Sequence, residues 1–143
     1  MPTRTATAEW KGEIRGGSGS MKMASGAYEG PYSFESRFKE GTGTNPEELI
    51  GAAHAGCYSM ALAGELAGRH IKPESITTEA KVDVDKAEGG FAITKIDLIT
   101  RVVAPGADEA TFQEAAQAAK EGCPVSKALA GVGTINLDAS LQS

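Results

Sequence analysis

The sequence predicts a domain of the α+β class, in which strands and helices occupy separate stretches of the chain. Three observations favour this class: segments that alternate polar and apolar residues, two segments with helical spacing of apolar residues, and an irregular order of the two kinds. The predicted order is three strands, a helix, two strands, two helices and a last strand. A length of 143 residues fits one domain, which we predict over 1–143.

The first part of the chain is predicted to be strand and loop. Residues 3–10 alternate loosely and end on the only tryptophan, Trp10, which indicates a strand. Residues 11–31 are rich in glycine and serine, which favours a loop or a weak edge hairpin. Residues 32–38, YSFESRF, alternate well, so they predict a strand with Arg37 on the face opposite the aromatic side chains.

A long, buried helix is predicted over about 46–69. Asn45 is a good N-cap, Pro46 suits the first helical position, and Glu48 falls where a capping box places its carboxylate. The residues that follow are apolar or small on every face, so we expect the helix to be central. Its many small residues allow another helix to approach closely, including one from a second chain.

The second half of the chain is predicted to hold a strand hairpin, two helices and a last strand. The strands alternate cleanly, and the longer helix carries an apolar stripe. Cys123 and Pro124 are typical of the N-cap and first position of the shorter helix. In chain order, these segments are predicted over 76–85, 91–103, 108–121, 124–131 and 134–141.

The composition argues against several kinds of partner. The net charge is −5 and no basic patch is present, which does not favour nucleic acid. No apolar run approaches the roughly 18 residues that a membrane helix needs. The polar start shows no signal peptide, so we expect a cytoplasmic protein, in which disulfides are rarely structural. Two cysteines and two histidines at scattered positions make a poor zinc site, so we expect no metal.

The two cysteines are the first candidates for chemistry. Cys57 lies in the middle of the predicted long helix, where the helix dipole contributes little, so a cation such as Arg37 would have to stabilise its thiolate. Cys123 lies at a predicted helix N-terminus, where free N–H groups favour a thiolate. Inert packing is the alternative for both, because free cysteine is among the most buried residue types. Their spacing in the sequence does not establish that they meet.

Glu47 and His54 are further candidates on the long helix. Glu47 is the better candidate of the two glutamates, because a capping-box role already accounts for Glu48. However, Glu47 precedes Cys57 by ten residues, which is a rise of about 15 Å along the helix. A site that combines Arg37, Glu47 and a cysteine therefore needs a long reach by Arg37 or a second subunit, and we favour a dimer with sites across its interface. His54 lies three residues before Cys57, which fits a cysteine–histidine pair or a hydrogen-bonded histidine at an interface.

Four motifs occur in order over nearly the whole chain: SRF, GTNPEELIGAAHAGCYSMAL, GFAITKIDL and GCPVSKAL. They resemble the osmotically inducible protein C (OsmC) family, a relative of the organic hydroperoxide resistance proteins. The position of the arginine, just before the long helix, makes the sequence more similar to the OsmC branch than to the organic hydroperoxide resistance branch. The resemblance implies an intertwined α+β homodimer with antiparallel sheets around helices 46–69 and 108–121. It also implies two sites at the dimer interface, and no metal, haem or flavin.

The resemblance further implies a thiol-dependent peroxidase, an antioxidant enzyme of the oxidative stress response. Cys57 would be the peroxidatic cysteine and Cys123 the resolving cysteine, while Arg37 would stabilise the thiolate and Glu47 would hold Arg37. The enzyme would reduce organic hydroperoxides, and hydrogen peroxide less efficiently, through a Cys57 sulfenic acid and a Cys57–Cys123 disulfide that a lipoyl-type dithiol reduces. The alternatives are a non-enzymatic redox sensor, a small-ligand-binding dimer, or a structural domain with inert cysteines.

Overall fold

The computed structural model describes residues 2–142 and confirms the α+β class. The elements in this range are β1 (Ala6–Lys11), β2 (Ser18–Met23), β3 (Glu29–Tyr32), α1 (Phe34–Phe38), α2 (Pro46–Ala67), β4 (Ser75–Ala87), β5 (Gly90–Val103), α3 (Glu109–Gly122), α4 (Pro124–Ala128) and β6 (Thr134–Leu141). The chain forms two compact units, one up to Leu49 and one from Ile50 onward. The single domain predicted over 1–143 stays a prediction. Within the described range, no helix has the length and apolar character needed to cross a membrane.

The first unit is built on an antiparallel sheet of strand order β1-β2-β3. The strand predicted over 3–10 is confirmed as β1, and the weak hairpin predicted within 11–31 corresponds to β2 and β3. Gly19 of β2 lies against the rings of Trp10 and Tyr32, whose centroids are 5.4 Å apart. A Cβ at this position would collide with both rings, so the close approach requires glycine.

The strand predicted over 32–38 is wrong, because Phe34–Phe38 form the short helix α1. The Oγ of Ser33 accepts a hydrogen bond from the N–H of Ser36, and the Oγ of Ser36 accepts one from the N–H of Ser33. This reciprocal capping box stabilises a helix start and overrides the alternating pattern. Arg37 therefore lies in the last turn of a helix and not on a strand.

The N-terminus of α2 is capped as predicted, with one difference. The Oδ1 of Asn45 accepts the N–H of Glu48 at 2.7 Å, which confirms the predicted N-cap. The capping box expected for Glu48 is not formed, because its carboxylate accepts the hydroxyl of Thr44 at 3.0 Å instead. The carboxylate of Glu48 is thereby held at the first turn of α2, and the side chain of Glu47 takes no part in this contact.

The second unit contains a mixed sheet of strand order β4-β5-β6. The hairpin of β4 and β5 is antiparallel as predicted, but β6 pairs parallel to β5, so the prediction of antiparallel sheets is wrong for this pair. The reason is the long connection through α3 and α4, which returns the chain to the same end of the sheet. The predicted alternation of β5 is confirmed, since Ile96, Leu98 and Val102 are fully buried.

Residues of α2 and α3 supply much of the core of the second unit. The apolar stripe predicted for the second long helix is confirmed, and it packs in one cluster with α2 and the sheet. The hydroxyl of Tyr58 donates to the carbonyl oxygen of Ala116 at 3.0 Å, which joins the two helices by a buried hydrogen bond. The buried apolar residues of the two helices are Tyr58, Leu62, Leu66, Phe112, Ala115, Ala116 and Ala119.

Candidate active site

The two cysteines meet in the second unit. Their Sγ atoms lie 3.1 Å apart although 66 positions separate them in the sequence, and both are free thiols. Cys57 is half-buried in the middle of α2, and Cys123 is fully buried between α3 and α4. A disulfide bond needs about 2.05 Å between the sulfur atoms, so a small side-chain movement is enough to join them.

Cys123 caps α4, as the sequence predicts, and it is also the C-cap of α3. Its backbone N–H donates to the carbonyl oxygen of Ala119 at 2.9 Å, and its sulfur accepts the backbone N–H of Ser126 at 3.5 Å. Pro124 occupies the first position of α4. The sulfur therefore lies among the free N–H groups of a helix start, which favours a thiolate.

The surroundings of the two thiols move their pKa values apart. Burial raises the pKa of Cys57, and its contact with Cys123 raises it further. Burial also opposes ionisation of Cys123, but hydrogen bonds from Ser126 and Cys57 outweigh it and lower the pKa of Cys123. Once Cys123 ionises, Cys57 is the donor across the 3.1 Å contact. Within this pair, Cys57 needs an additional cation to become a thiolate.

Arg37 and Glu47 form a salt bridge in the first unit, within one protomer. The Nε and Nη2 atoms of Arg37 lie 3.0 and 2.9 Å from the same oxygen, Oε1 of Glu47. The side chain of Glu47 is 7% exposed and that of Arg37 is 40% exposed. The second oxygen of Glu47 is buried without a partner among the described residues. A buried carboxylate thus fixes a guanidinium whose other edge is accessible.

Arg37 also lines a cavity in the first unit. The cavity has a volume of about 190 Å³. The side chain of Phe38 lies under the guanidinium at 5.1 Å, a cation–π distance. A ligand in this cavity would meet one cation and an otherwise largely apolar wall. The lining residues are Trp10, Ile14, Tyr32, Ser33, Phe34, Arg37 and Phe38.

His54 is fully buried and contacts Ser126 rather than Cys57. Its Nε2 lies 2.7 Å from the Oγ of Ser126, and its Nδ1 has no partner among the described residues. Burial lowers the pKa of His54, which keeps the ring neutral. The direct cysteine–histidine pair considered from the sequence is therefore not formed. Ser126 was missed, and its only local signal is its place three residues after Cys123, in the first turn of α4.

The structure thus brings the predicted site residues together as two pairs, Cys57 with Cys123 and Arg37 with Glu47. The roles given to these four residues stay predictions. Across residues 2–142, no group of three histidine, cysteine, aspartate or glutamate side chains is arranged to hold a metal ion. Two free thiols in contact, one of them at a helix N-terminus, are typical of a thiol-based redox protein.

The chain belongs to the OsmC family. The family's sequence model, described as OsmC-like protein, matches residues 39–138. The chain is 50% identical over 137 residues to Peroxiredoxin OsmC of Escherichia coli (strain K12), which covers 95% of this chain and 94% of that protein. It is 34% identical to the Organic hydroperoxide resistance protein of Xanthomonas axonopodis pv. citri (strain 306), over 71% of this chain and 67% of the other.

Solved structures support the same assignment. The crystal structure of the Organic Hydroperoxide Resistance Protein OhrB of Bacillus subtilis is similar with a TM-score of 0.69 and 28% sequence identity, covering 96% of this chain and 98% of that one. The predicted family and the predicted α+β fold are therefore confirmed.

Proposed function

We propose that this protein is a thiol-dependent peroxidase of the cytoplasm that reduces organic hydroperoxides, and hydrogen peroxide less efficiently. The observation that carries the proposal is the 3.1 Å contact between the sulfur atoms of Cys57 and Cys123. The names of the relatives support it, because they include a peroxiredoxin and an organic hydroperoxide resistance protein. Thiols supply all the electrons in this reaction, so it needs no metal or organic cofactor.

Cys57 is the peroxidatic cysteine in this proposal. A peroxide must reach the attacking sulfur, and Cys57 is half-buried whereas Cys123 is fully buried. The Cys57 thiolate attacks the terminal peroxide oxygen, the alcohol leaves, and Cys57 becomes a sulfenic acid. Cys123 then attacks the Cys57 sulfur, a disulfide forms, and water leaves. A dithiol reductant, of the lipoyl type, restores both thiols by exchange.

Arg37 supplies the cation that Cys57 needs, and Glu47 holds Arg37 in place. Burial raises the pKa of Cys57, and a guanidinium close to its sulfur would act in the opposite direction. Because α2 rises about 15 Å between Glu47 and Cys57, we propose that the Arg37–Glu47 pair of one protomer completes the cysteine site of its partner.

The cavity at Arg37 supports an organic substrate. Its wall carries the rings of Trp10, Tyr32, Phe34 and Phe38. Such a wall gains free energy by covering an alkyl or aryl tail, whereas hydrogen peroxide has no apolar surface to bury. Arg37 at the same cavity would bind the peroxide oxygens while the rings bind the tail.

We propose that two copies form an intertwined homodimer that covers an exposed face of α2. This face carries Ala53, Gly56, Met60 and Gly64, and Met60 is 79% exposed. A Cβ added at Gly56 or Gly64 would meet nothing within 4 Å in the single chain. A contiguous apolar surface of this kind is typical of an interface, and its small residues let a second helix approach closely.

Met60→Arg is expected to convert the dimer into monomers and to remove most of the peroxidase activity. The reason is that a charge placed in the centre of an apolar interface loses its hydration without gaining a partner. Light scattering after size-exclusion chromatography gives the mass, and a peroxide assay gives the activity. Ala110→Arg adds the same charge at an exposed position of α3 and serves as the control. A native protein that is monomeric and fully active would contradict the proposed dimer.

Peroxide turnover with a dithiol tests the proposed function. Reduced protein with excess dithiol is expected to consume many equivalents of an organic hydroperoxide, and fewer of hydrogen peroxide in the same time. Without the dithiol, one equivalent of hydroperoxide is expected to remove both thiols of each chain. A redox sensor would lose its thiols but would not turn over with excess substrate. Inert cysteines would keep both thiols, and the peroxidase proposal would be rejected.

A further inference from the structure

A line of polar contacts leads from the cysteine pair into the interior of the second unit. The backbone N–H of Ser126 donates to the sulfur of Cys123 at 3.5 Å, and the side chain of Ser126 helps to lower the pKa of Cys123. The Oγ of Ser126 lies 2.7 Å from the Nε2 of His54. His54 is 0% exposed and Ser126 is 8% exposed, so water competes little for these bonds. The mechanism proposed above uses neither residue.

The unpaired nitrogen of His54 decides the direction of these hydrogen bonds. Its Nδ1 is buried and has no partner among the described residues. A buried N–H without an acceptor is rare, so the ring proton belongs on Nε2 and the bare lone pair on Nδ1. The Nε2–H of His54 then donates to the Oγ of Ser126. The hydroxyl hydrogen of Ser126 is left for its other neighbour, the sulfur of Cys123.

We propose that His54 is a positioning residue for the resolving cysteine: by donating to Ser126, it directs the Ser126 hydroxyl at Cys123 and holds that sulfur as a thiolate. This inference rests on the proposed function and extends it to the second chemical step. In that step, a bond forms between the sulfurs of Cys123 and Cys57, and the sulfur–oxygen bond of the sulfenic acid breaks. The sulfur of Cys57 is reduced and that of Cys123 is oxidised. The departing hydroxide combines with the proton that Cys123 released and leaves as water.

Other ionisable groups near Cys123 do not replace this arrangement. Burial raises the pKa of Tyr58 far above its usual range, so its hydroxyl stays neutral. The charged side chains near Ser126 line a shallow outer cavity, where solvent screens them. The ionisable groups that face Cys123 or Ser126 are Cys57, His54 and Tyr58 of α2, Lys120 and Glu121 of α3, and Lys127 of α4.

The ionisation of Cys123 tests the positioning role independently of peroxidase activity. In the Cys57→Ser protein, Cys123 is the only thiol, and the ultraviolet absorbance of its thiolate follows its titration without a reagent. Adding Ser126→Ala or His54→Leu is expected to raise the midpoint by about one pH unit, since a hydrogen bond to a charged group contributes about one to two pKa units.

Two further variants serve as rescue and control in this titration. His54→Gln keeps an N–H donor near the place of Nε2, so it is expected to restore most of the lost shift. Ser59→Ala removes a hydroxyl of α2 that bonds to Thr78 at 2.8 Å, and it is expected to leave the midpoint unchanged. If His54→Leu does not fold, Ser126→Ala still decides, because it removes a single oxygen atom.

The rate of disulfide closure gives a second readout, with both cysteines present. Ser126→Ala and His54→Leu are expected to slow closure about tenfold near neutral pH without slowing sulfenic acid formation, in line with a midpoint shift of about one unit. The difference is expected to vanish at high pH, where Cys123 is ionised in every variant. An unchanged midpoint and an unchanged closure rate in Ser126→Ala would overturn the positioning role. If the parent protein forms no sulfenic acid at all, the proposed function fails instead, and the titration still decides the role of His54.

Discussion

Cys57→Ser is expected to abolish peroxide reduction, whereas Cys123→Ser is expected to complete one reaction with peroxide and stop at a sulfenic acid. The first change removes the attacking sulfur, and a serine hydroxyl at this place has neither the acidity nor the nucleophilicity of a thiol. The loss is expected to be on the order of 10⁴-fold or more, as for other enzymes deprived of their nucleophile. The second change leaves the attack intact and removes the sulfur that closes the disulfide.

Mass spectrometry after one equivalent of an organic hydroperoxide separates these outcomes. The parent protein is expected to carry a Cys57–Cys123 disulfide, Cys123→Ser a trapped sulfenic acid, and Cys57→Ser no modification. The reverse pattern, in which Cys57→Ser still reacts and Cys123→Ser does not, would exchange the two roles. That outcome has a physical basis, because hydrogen bonds from Ser126 and Cys57 lower the pKa of Cys123 despite its burial.

Arg37→Ala is expected to lower kcat/KM for an organic hydroperoxide by about 10²- to 10³-fold, the range for loss of one electrostatic group that stabilises the reacting atoms. Without the guanidinium, burial and the contact with Cys123 would keep the pKa of Cys57 raised. The pH at which peroxide reduction is half-maximal should therefore move upward. Arg37→Lys is expected to recover only part of the rate, since lysine lacks the planar fork that contacts Glu47 through two nitrogens.

The control for this prediction is Arg69→Ala. Arg69 forms a 2.6 Å ion pair with Glu65 near the end of α2, and its loss is expected to change kcat/KM less than twofold. Glu47→Gln is expected to lower kcat/KM about tenfold, because an amide oxygen still accepts a hydrogen bond from Arg37 but carries no charge to attract the guanidinium.

Stability measurements distinguish the proposed catalytic role of Arg37 from a purely structural one. Removing Arg37 leaves the buried carboxylate of Glu47 unpaired, which costs stability. Because Arg37 is 40% exposed, we expect only about 1 kcal/mol, measured by chemical denaturation. A variant that loses stability but keeps kcat/KM within twofold of the parent would assign the pair a structural role only.

Local signals in the sequence predicted much of this fold because each depends on neighbouring residues. Asn45 caps α2 through a residue three positions on, and Cys123 with Pro124 starts α4 in the same way. The strand prediction for 32–38 was wrong because the aromatic residues of this segment alternate as they do in a strand. The Ser33 and Ser36 pair that starts α1 lacks the carboxylate by which a capping box is usually recognised.

Local patterns of this kind do not predict contacts between distant parts of the chain. Cys57 and Cys123 were predicted as candidate site residues, but the distance between them could not be predicted because 66 positions separate them in the sequence. The contact of His54 with Ser126 spans 72 positions, and nothing in the local pattern pointed to it. The parallel pairing of β6 was missed for the same reason, since strand direction depends on how the chain returns and not on alternation.

The parallel pairing of β5 and β6 also has a consequence for how the chain folds. The connection between Val103 and Thr134 must close before β6 can join the sheet. Such distant pairings form slowly, because the conformational entropy of the connecting loop is lost before the stabilising contacts form. Cys123 lies within this connection, so it meets Cys57 only when the crossover is in place. A newly made or unfolded chain carries two isolated thiols with ordinary reactivity. The proposed two-electron redox couple therefore assembles only late in folding.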